Sequence, residues 1–477
     1  MDTGQSLTES TRYEAALDYL FQRINYERTT DIPYRSRSFK LDRMQALMDA
    51  LGNPERKLKA IHVAGTKGKG STSAFLANIL WKAGYQVGKF TSPHLERLEE
   101  RFWLNGENCS ADDIVQLVDK LIPVVRQMDE EAGPEDRLTF FELTTAMGFL
   151  LFAERKVDFA VFEVGLGGRL DSTNVCHPLL CLITSISRDH MALLGDTLAQ
   201  IAGEKAGIIK PNVPVISGVT APEAQQIIQD IARQNNARLW QLGDDFLSDP
   251  AERTWKESSE GTLFQQTFEV TWKEGAKHSY AIGIKGKHQV ANAGLAVASV
   301  ERIRELGYDV SDEAIRAGLA ATCLPARIEC LSERPTIIVD AAHNDASAAA
   351  LVSVLEEHLP DRRRHLVFAS SGDKDHAAVL DLLIGAFNEA WLTKYSFSPR
   401  STDPAYLRTL AEELKKDSSV QLHATEEAKV AFHEAIEACG PNDVLVITGS
   451  FFIAAEFKRF WSELTAAKDP SISSAAR

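Results

Sequence analysis

An α/β protein of two parallel-sheet domains is the fold class the sequence predicts, on three observations. A short apolar run holding Ile61 and Val63 ends in a glycine- and lysine-rich turn, and a helix-compatible stretch follows it. Beyond that turn, strand-like and helix-like stretches alternate, the pattern of parallel strands covered by helices on both faces. A second alternating series starts at Thr336, after Leu324-Pro325-Ala326-Arg327. Residues 1–326 are therefore expected to form a P-loop-type parallel sheet domain covered by helices, and residues 327–477 a smaller, Rossmann-like α/β domain.

Before the turn, residues 13–24 carry apolar side chains at helical spacing (Ala16, Leu17, Tyr19, Leu20, Ile24) and residues 41–51 repeat the pattern, so two helices lead in. Residues 25–39 between them are polar with a proline and read as a loop that could reach over a ligand. Residues 85–90 read as a second strand, and Asn105-Gly106 as a hairpin-type turn. Helices are expected at 111–125 and 141–154, a buried strand at 157–164, another at 180–185, and a helix at 197–209. Strands at 214–217 and 239–242 flank a helix at 222–234. From 262 to 286 the period changes to two (Phe268, Val270, Trp272), which predicts a hairpin or small antiparallel sheet. A long helix opened by Gly286-Lys287-His288 and another at 312–322 complete the first series. In the second, strands are expected at 336–340, 366–369, 389–392, 420–423 and 444–448, and residues 466–477 read as a frayed end.

The turn after Val63 has the composition of a phosphate cradle. Gly65, Gly68 and Gly70 let the backbone bend tightly and bring N–H groups against an anion, and Lys69 adds a point charge. Ser71 opens the helix, so its positive end faces the same anion. The spacing is a variant of the usual P-loop, because Gly70 separates the lysine from the hydroxyl residue. Glu163 is the charged residue near the end of the strand at 157–164, before another glycine turn. An acid there, beside a phosphate loop, suits a magnesium ligand; the alternative is a carboxylate that caps the next turn.

Composition bounds the rest. The 477 residues are 44% hydrophobic and 25% charged, a globular balance, and no apolar run approaches the roughly 20 residues a membrane span needs. The first residues lack a cationic-then-apolar leader, so a cytoplasmic protein is expected. The 6 cysteines show no CxxC pair, which points to reduced, mostly buried thiols rather than a zinc site or disulfides. A net charge of −15 argues against nucleic-acid binding, which needs a basic footprint.

Taken in order, the stretches IHVAGTKGKGS, TSPHL with the later NGE, TFFELTTA, FEVGLGGRLDSTN, DHMALLG with IAGEKAGIIK, GKHQVANA, LPARIE and DAAHN resemble the folylpolyglutamate synthase and dihydrofolate synthase family, within the Mur ligase superfamily. The likeness runs from about Tyr13 to about Trp461. It departs from the family's common residues at Lys67 (often asparagine), Ser172 (alanine), Ala326 and Ala341 (both glycine). The resemblance makes residues 1–326 an ATP-binding Mur-ligase-like domain and residues 327–477 a ligase domain.

That family joins L-glutamate to a folate-type carboxylate, of tetrahydrofolate polyglutamate, dihydropteroate or both, through an acyl phosphate made from ATP. The resemblance implies ATP contacts at Gly65, Thr66, Gly68, Lys69, Gly70, Ser71, Asn292, Arg327 and Asp340, with the nucleotide between the two domains. It implies Mg2+, at two sites, on Ser92, Glu163, His190 and Lys205, the last as a carbamate. Lys69, Lys205 and His343 become the catalytic candidates, and Thr139, Leu170, Asp171 and Ser172 the pterin-side pocket. On the residues alone, His190 reads as a structural histidine, Lys205 as a surface helix lysine, Thr139 as a helix cap and the others as turn formers. The expected partners are small molecules only, with no nucleic acid and no membrane, and the family expectation is a monomer. Two further readings stay open: a Mur-type ligase with another acceptor, against which TSPHL and TFFELTTA argue, and a non-catalytic P-loop nucleotide-binding module.

Overall fold

A computed structural model describes residues 9–26, 41–133, 136–250, 266–284, 286–372, 374–396, 401–415 and 419–468. They fall into two compact units; the second begins at Cys323 and also takes in Ile284 and Gly286.

The first unit opens with two helices, α1 (Glu9–Phe21) and α2 (Leu41–Ala50). Strand β1 (Ala60–Ala64) is buried along its whole length and leads through the glycine loop into α3 (Lys69–Lys82). Then come β2 (Val87–Phe90), β3 (Phe102–Leu104), β4 (Glu107–Asn108), α4 (Ala111–Glu131), α5 (Phe140–Glu154) and β5 (Phe159–Glu163). The series continues with β6 (Leu180–Ile183), α6 (Met191–Leu194), α7 (Leu198–Ala206), β7 (Val215–Ser217), α8 (Pro222–Gln234) and β8 (Leu239–Gln241). Together they make an eight-stranded sheet of order β4-β3-β2-β5-β1-β6-β7-β8. Strands β2, β5, β1, β6, β7 and β8 run parallel, and β3 and β4 add an antiparallel edge through the Asn105-Gly106 turn.

One face of this sheet is aromatic. Phe90, Phe149, Phe152 and Phe162 are fully buried, with Phe149 and Phe162 stacked at 4.3 Å. Burying each ring contributes about 1.5–3 kcal/mol. A Cβ on Gly88 would sit 2.5 Å from the Phe152 ring, so the glycine is there to let α5 lie close. Helix α4 runs on past residue 125, with Pro123 inside it. Its stripe of Ile114, Leu117, Val118, Leu121 and Val125 is buried, and that packing outweighs the missing N–H of one proline.

The period-two stretch forms β10 (Gln266–Trp272) and β11 (Lys277–Ile282), joined by a strand that the periodicity did not predict, β9 (Phe246–Pro250). Short and mostly solvent-facing, β9 carries little apolar signal. Helix α9 (Lys287–Glu305) and α10 (Asp312–Ala321) then pack on α3.

In the second unit an edge strand, β12 (Glu329–Glu333), precedes β13 (Thr336–Val339), α11 (Asp345–His358), β14 (Arg364–Phe368), α12 (His376–Ile384) and β15 (Glu389–Leu392). The remaining elements are α13 (Pro404–Leu414), β16 (Gln421–Ala424), α14 (Ala428–Ala438), β17 (Val444–Thr448) and α15 (Phe451–Lys468). The sheet order is β12-β13-β17-β14-β15-β16, parallel except for β12. The sequence reading lacked β12 because its residues, ECLSE, alternate poorly and none is fully buried.

The expected loop at 25–39 lies almost wholly outside the described residues, as does the end beyond Lys468. Among the cysteines, Cys109, Cys176 and Cys181 are buried, but Cys323 and Cys330 are exposed, so the thiols are less uniformly buried than composition suggested. Among the described residues no helix is long and apolar enough to cross a membrane.

Candidate active site

The glycine loop is held so closely that a side chain would have no room at Gly65 or Gly68. A Cβ on Gly65 would lie 1.9 Å from Thr184 Oγ1, one on Gly68 would lie 2.3 Å from Asn292 Oδ1, and one on Gly70 would touch Glu163 Oε2 at 3.4 Å. Gly65 and Gly68 also have φ of +152° and +85°, which an L side chain rarely adopts. The loop therefore meets the end of β6, the start of α9 and the end of β5 at once. Thr184 and Ser185 fasten it from below: Thr184 Oγ1 donates to the Lys67 carbonyl at 2.7 Å, and Ser185 Oγ accepts from the Lys67 N–H at 3.0 Å. Thr66 N–H donates to the Ser185 carbonyl at 2.7 Å. Helix α3 starts at Lys69, with Ser71, Thr72 and Ser73 buried in its first turns.

Two lysines converge on one acceptor. Lys69 Nζ donates to the Gly65 carbonyl at 3.2 Å and Lys205 Nζ, from α7, donates to the same oxygen at 2.9 Å. Lys205 is 4% exposed, so it is not the surface lysine that its helical setting suggested. Burial first, then the neighbouring Lys69 charge, bring its amine down to about 7. An amine in that range is substantially neutral near physiological pH, and only the neutral form adds carbon dioxide to become a carbamate.

Glu163 closes β5 and is 6% exposed; the Ser92 N–H lies 3.4 Å from its Oε2. His190 stands apart from Glu163 in character. It precedes α6 with φ +49°, its side chain is 57% exposed, and it lies beside Asp189, whose Oδ1 is 3.7 Å from Nε2. Burial lowers the imidazole's affinity for a proton and Asp189 partly restores it. Asp189 also receives Lys67 Nζ at 3.1 Å, so the lysine that departs from the family ties the glycine loop to the His190 segment.

The implied pterin-side residues are turn and cap formers here as well. The Thr139 hydroxyl accepts from the Glu142 N–H and donates to its carboxylate, capping α5, and Arg43 grips that carboxylate through Nε and Nη2 at 2.7 and 2.8 Å. Asp171 is 5% exposed and accepts from the N–H groups of Leu166 and Thr173 and from the Thr173 hydroxyl. Burial raises its carboxyl pKa, while those donors and the charge of Lys69 pull the other way. Leu170 and Ser172 flank it, half-buried. The same loop is bolted to α7, since Arg169 N–H donates to Glu204 O and Asn174 Nδ2 donates to Gly207 O.

In the second unit, Asp340 follows β13 and is 6% exposed, accepting from the N–H groups of Ile328 and Ala342. Arg327 is exposed, with its guanidinium 5.2 Å from the centre of the Phe451 ring. Its two neighbours, Ala326 and Ile328, have φ of +51° and +50°, a strained pair for residues with a Cβ. His343 Nδ1 lies 2.9 Å from the Ala341 carbonyl, so it carries the proton and leaves Nε2 as the ring's other nitrogen. Ala341, where the family has glycine, is not among the positive-φ residues and fits without strain.

Sequence reasoning missed Thr184, Ser185 and Asp189, which hold the loop, and His62, which lies in the middle of β1. A polar residue in an otherwise apolar buried strand was the available signal for His62.

A Mur ligase middle domain model matches residues 63–300, and a Mur ligase glutamate ligase domain model matches residues 326–451. A dihydrofolate synthase/folylpolyglutamate synthase of Bacillus subtilis is 36% identical over 88% of this chain and 94% of its own length. The folylpolyglutamate synthase of Lacticaseibacillus casei is 32% identical over 87% of this chain and 93% of its own. Among solved structures, a Thermotoga maritima folylpolyglutamate synthase superposes with a TM-score of 0.81 at 33% identity, covering 95% of this chain and 97% of that one. The Mycobacterium tuberculosis enzyme, solved with ADP and AMPPCP, gives 0.79 at 31% identity, covering 95% and 99%.

Proposed function

Because the chain belongs to the folylpolyglutamate synthase and dihydrofolate synthase family of Mur-type ligases, we propose that it uses ATP to join L-glutamate to the carboxylate of a pterin-bearing acceptor, a reduced folate, dihydropteroate or both. A carboxylate is a poor electrophile. An acceptor carboxylate oxygen attacks the ATP γ-phosphorus, ADP departs, and an acyl phosphate forms. The glutamate amine then attacks the acyl carbon, phosphate leaves with that oxygen, and the amine proton is lost. Most of the protein's work is positioning and charge neutralisation.

In this reading the N–H groups from Gly68 to Ser71 cradle the phosphates and Lys69 swings from the Gly65 carbonyl to the transferring group. Asn292 borders the cradle at Gly68, Asp340 suits ribose hydroxyls, and Arg327 suits phosphate charge. His343 Nε2 is the contact offered to the reacting groups. The acceptor's pterin lies against Thr139, Leu170, Asp171 and Ser172.

Magnesium takes oxygen ligands, commonly one or two carboxylates with water and substrate phosphate making up the rest. The residues fit that demand: a buried Glu163 carboxylate borders Gly70 and Ser92, and a carbamate on Lys205 would add an anionic oxygen beside the same loop. His190 is the weakest of the four implied ligands, being exposed and turned to Asp189. The bound ions, two in this reading, would neutralise phosphate charge during transfer. The protein acts as a cytoplasmic monomer.

The observation that carries the reading is the buried Lys205 amine on the Gly65 carbonyl, which joins α7 to the phosphate loop. A binding module would have no use for a desolvated lysine there. Purified protein incubated with ATP, magnesium, glutamate and either tetrahydrofolate or dihydropteroate is expected to release ADP and phosphate only when an acceptor is present. Acceptor-independent turnover, or AMP as product, would overturn the proposal.

A further inference from the structure

His62 is completely buried in the centre of β1, one residue before Val63 and the start of the glycine loop. Its Nε2 lies 2.8 Å from Thr173 Oγ1, and Thr173 Oγ1 in turn bonds Asp171 Oδ1. The direction of both bonds follows from the chemistry of the groups. An ionised carboxylate only accepts, so the Thr173 hydroxyl proton points to Asp171. The hydroxyl oxygen must then accept from His62, which puts the ring proton on Nε2. Nδ1 is left without a hydrogen-bond partner among the described residues. A buried, unfilled nitrogen is a cost that a purely packing role would avoid by using an apolar side chain.

Asp171 shows what this chain of donors accomplishes. Its Oδ1 is saturated by the Thr173 N–H and hydroxyl, while Oδ2, among the described residues, accepts the Leu166 N–H alone and keeps an acceptor position open. The side chain is thereby locked with one oxygen free. A 2-amino-4-oxopteridine presents two adjacent donors, the ring N–H and the exocyclic amine, which suit a fixed carboxylate oxygen.

We propose that His62 is a positioning residue for the acceptor's pterin ring: through Thr173 it fixes the rotamer of Asp171 and so aims Oδ2 at the pterin's donor edge. The inference rests on the reading that Asp171 lines the pterin pocket. Burial holds the imidazole neutral, its pKa pushed down to about 3, with Lys210 adding to the effect, so the chain of donors keeps one polarity across the working pH range.

The test is steady-state kinetics of the full chain with a reduced folate or dihydropteroate as acceptor. His62→Leu removes the donor, while His62→Gln keeps an N–H the same number of bonds from the backbone as Nε2. Losing one charge-assisted hydrogen bond's alignment predicts a KM for the acceptor about tenfold higher in His62→Leu, with the KM for ATP unchanged and His62→Gln close to wild type. A structural role alone would lower stability without separating the two KM values. If His62→Leu does not fold, Thr173→Ala cuts the same chain from its other side and is read in its place. An acceptor KM that stays at the wild-type value in these variants, while Asp171→Asn raises it, overturns the role of His62. An acceptor KM unmoved by Asp171→Asn instead overturns the pocket reading beneath it.

Discussion

Lys205 and Lys69 donate to the same oxygen, the carbonyl of Gly65, from 2.9 and 3.2 Å. Two amines on one acceptor form a cationic centre whose charge suits a triphosphate, and the more buried of the two resolves the repulsion by giving up its proton readily. The neutral amine can then add carbon dioxide. A carbamate there would keep one N–H for the Gly65 carbonyl and would add a negative oxygen.

Lys205→Ala is therefore expected to lose at least about a hundredfold in turnover, the scale of removing one preorganised electrostatic partner. Short carboxylic acids added in solution should restore part of that loss by standing in for the carbamate, as read by ADP release. Near-wild-type turnover in Lys205→Ala would refute the assignment.

Stability should carry the same signature. The Lys205 amine is depressed in the folded state, so the unfolded chain binds more protons between about pH 7 and the ordinary lysine range, and stability gained from this group rises with pH across that window. In carbon dioxide-free buffer, Lys205→Met should be more stable relative to wild type at pH 6.5 than at pH 9.5. Equal differences in melting temperature at the two pH values would contradict the depressed amine.

Lys67→Asn restores the family's common residue and releases Asp189. The ion pair is 60% and 32% exposed, and a pair so wet contributes at most about 1 kcal/mol. Thermal stability is expected to change little, whereas the KM for ATP should rise severalfold and lose part of its salt dependence, because a cation beside the phosphates has gone. A large fall in melting temperature with unaltered KM would make Lys67 structural instead.

Ala326→Gly should stabilise the protein by about 0.5–1 kcal/mol. Its φ of +51° costs an alanine roughly 1–2 kcal/mol, partly offset by the greater freedom of glycine in the unfolded chain. Denaturant unfolding measures the difference, and a loss of stability would mean that the Ala326 methyl group's packing outweighs the strain.

Much of this was legible beforehand because it lies in periodicity and turn chemistry. The apolar run at Ile61 and Val63, the glycines that follow and the alternation after Thr336 are local signals, and the structure has the expected parallel sheets there. β9 and β12 were not legible, since an edge strand draws its pairing from a neighbour rather than from its own alternation. The site was legible only as a set of residue types. Nothing near Lys205 in sequence announces that it reaches Gly65, 140 residues away, or that this removes it from solvent. His62 went unread for the same reason: its partner Thr173 lies 111 residues on, and only the folded sheet brings them together.

The acyl phosphate is the centre of the account, and isotope transfer tests it most directly. An acceptor whose reacting carboxylate carries oxygen-18 in both positions is turned over with ATP and glutamate, and the inorganic phosphate is analysed by mass spectrometry. The account predicts one labelled oxygen in each phosphate released. Phosphate without label, or label appearing in AMP, would contradict it.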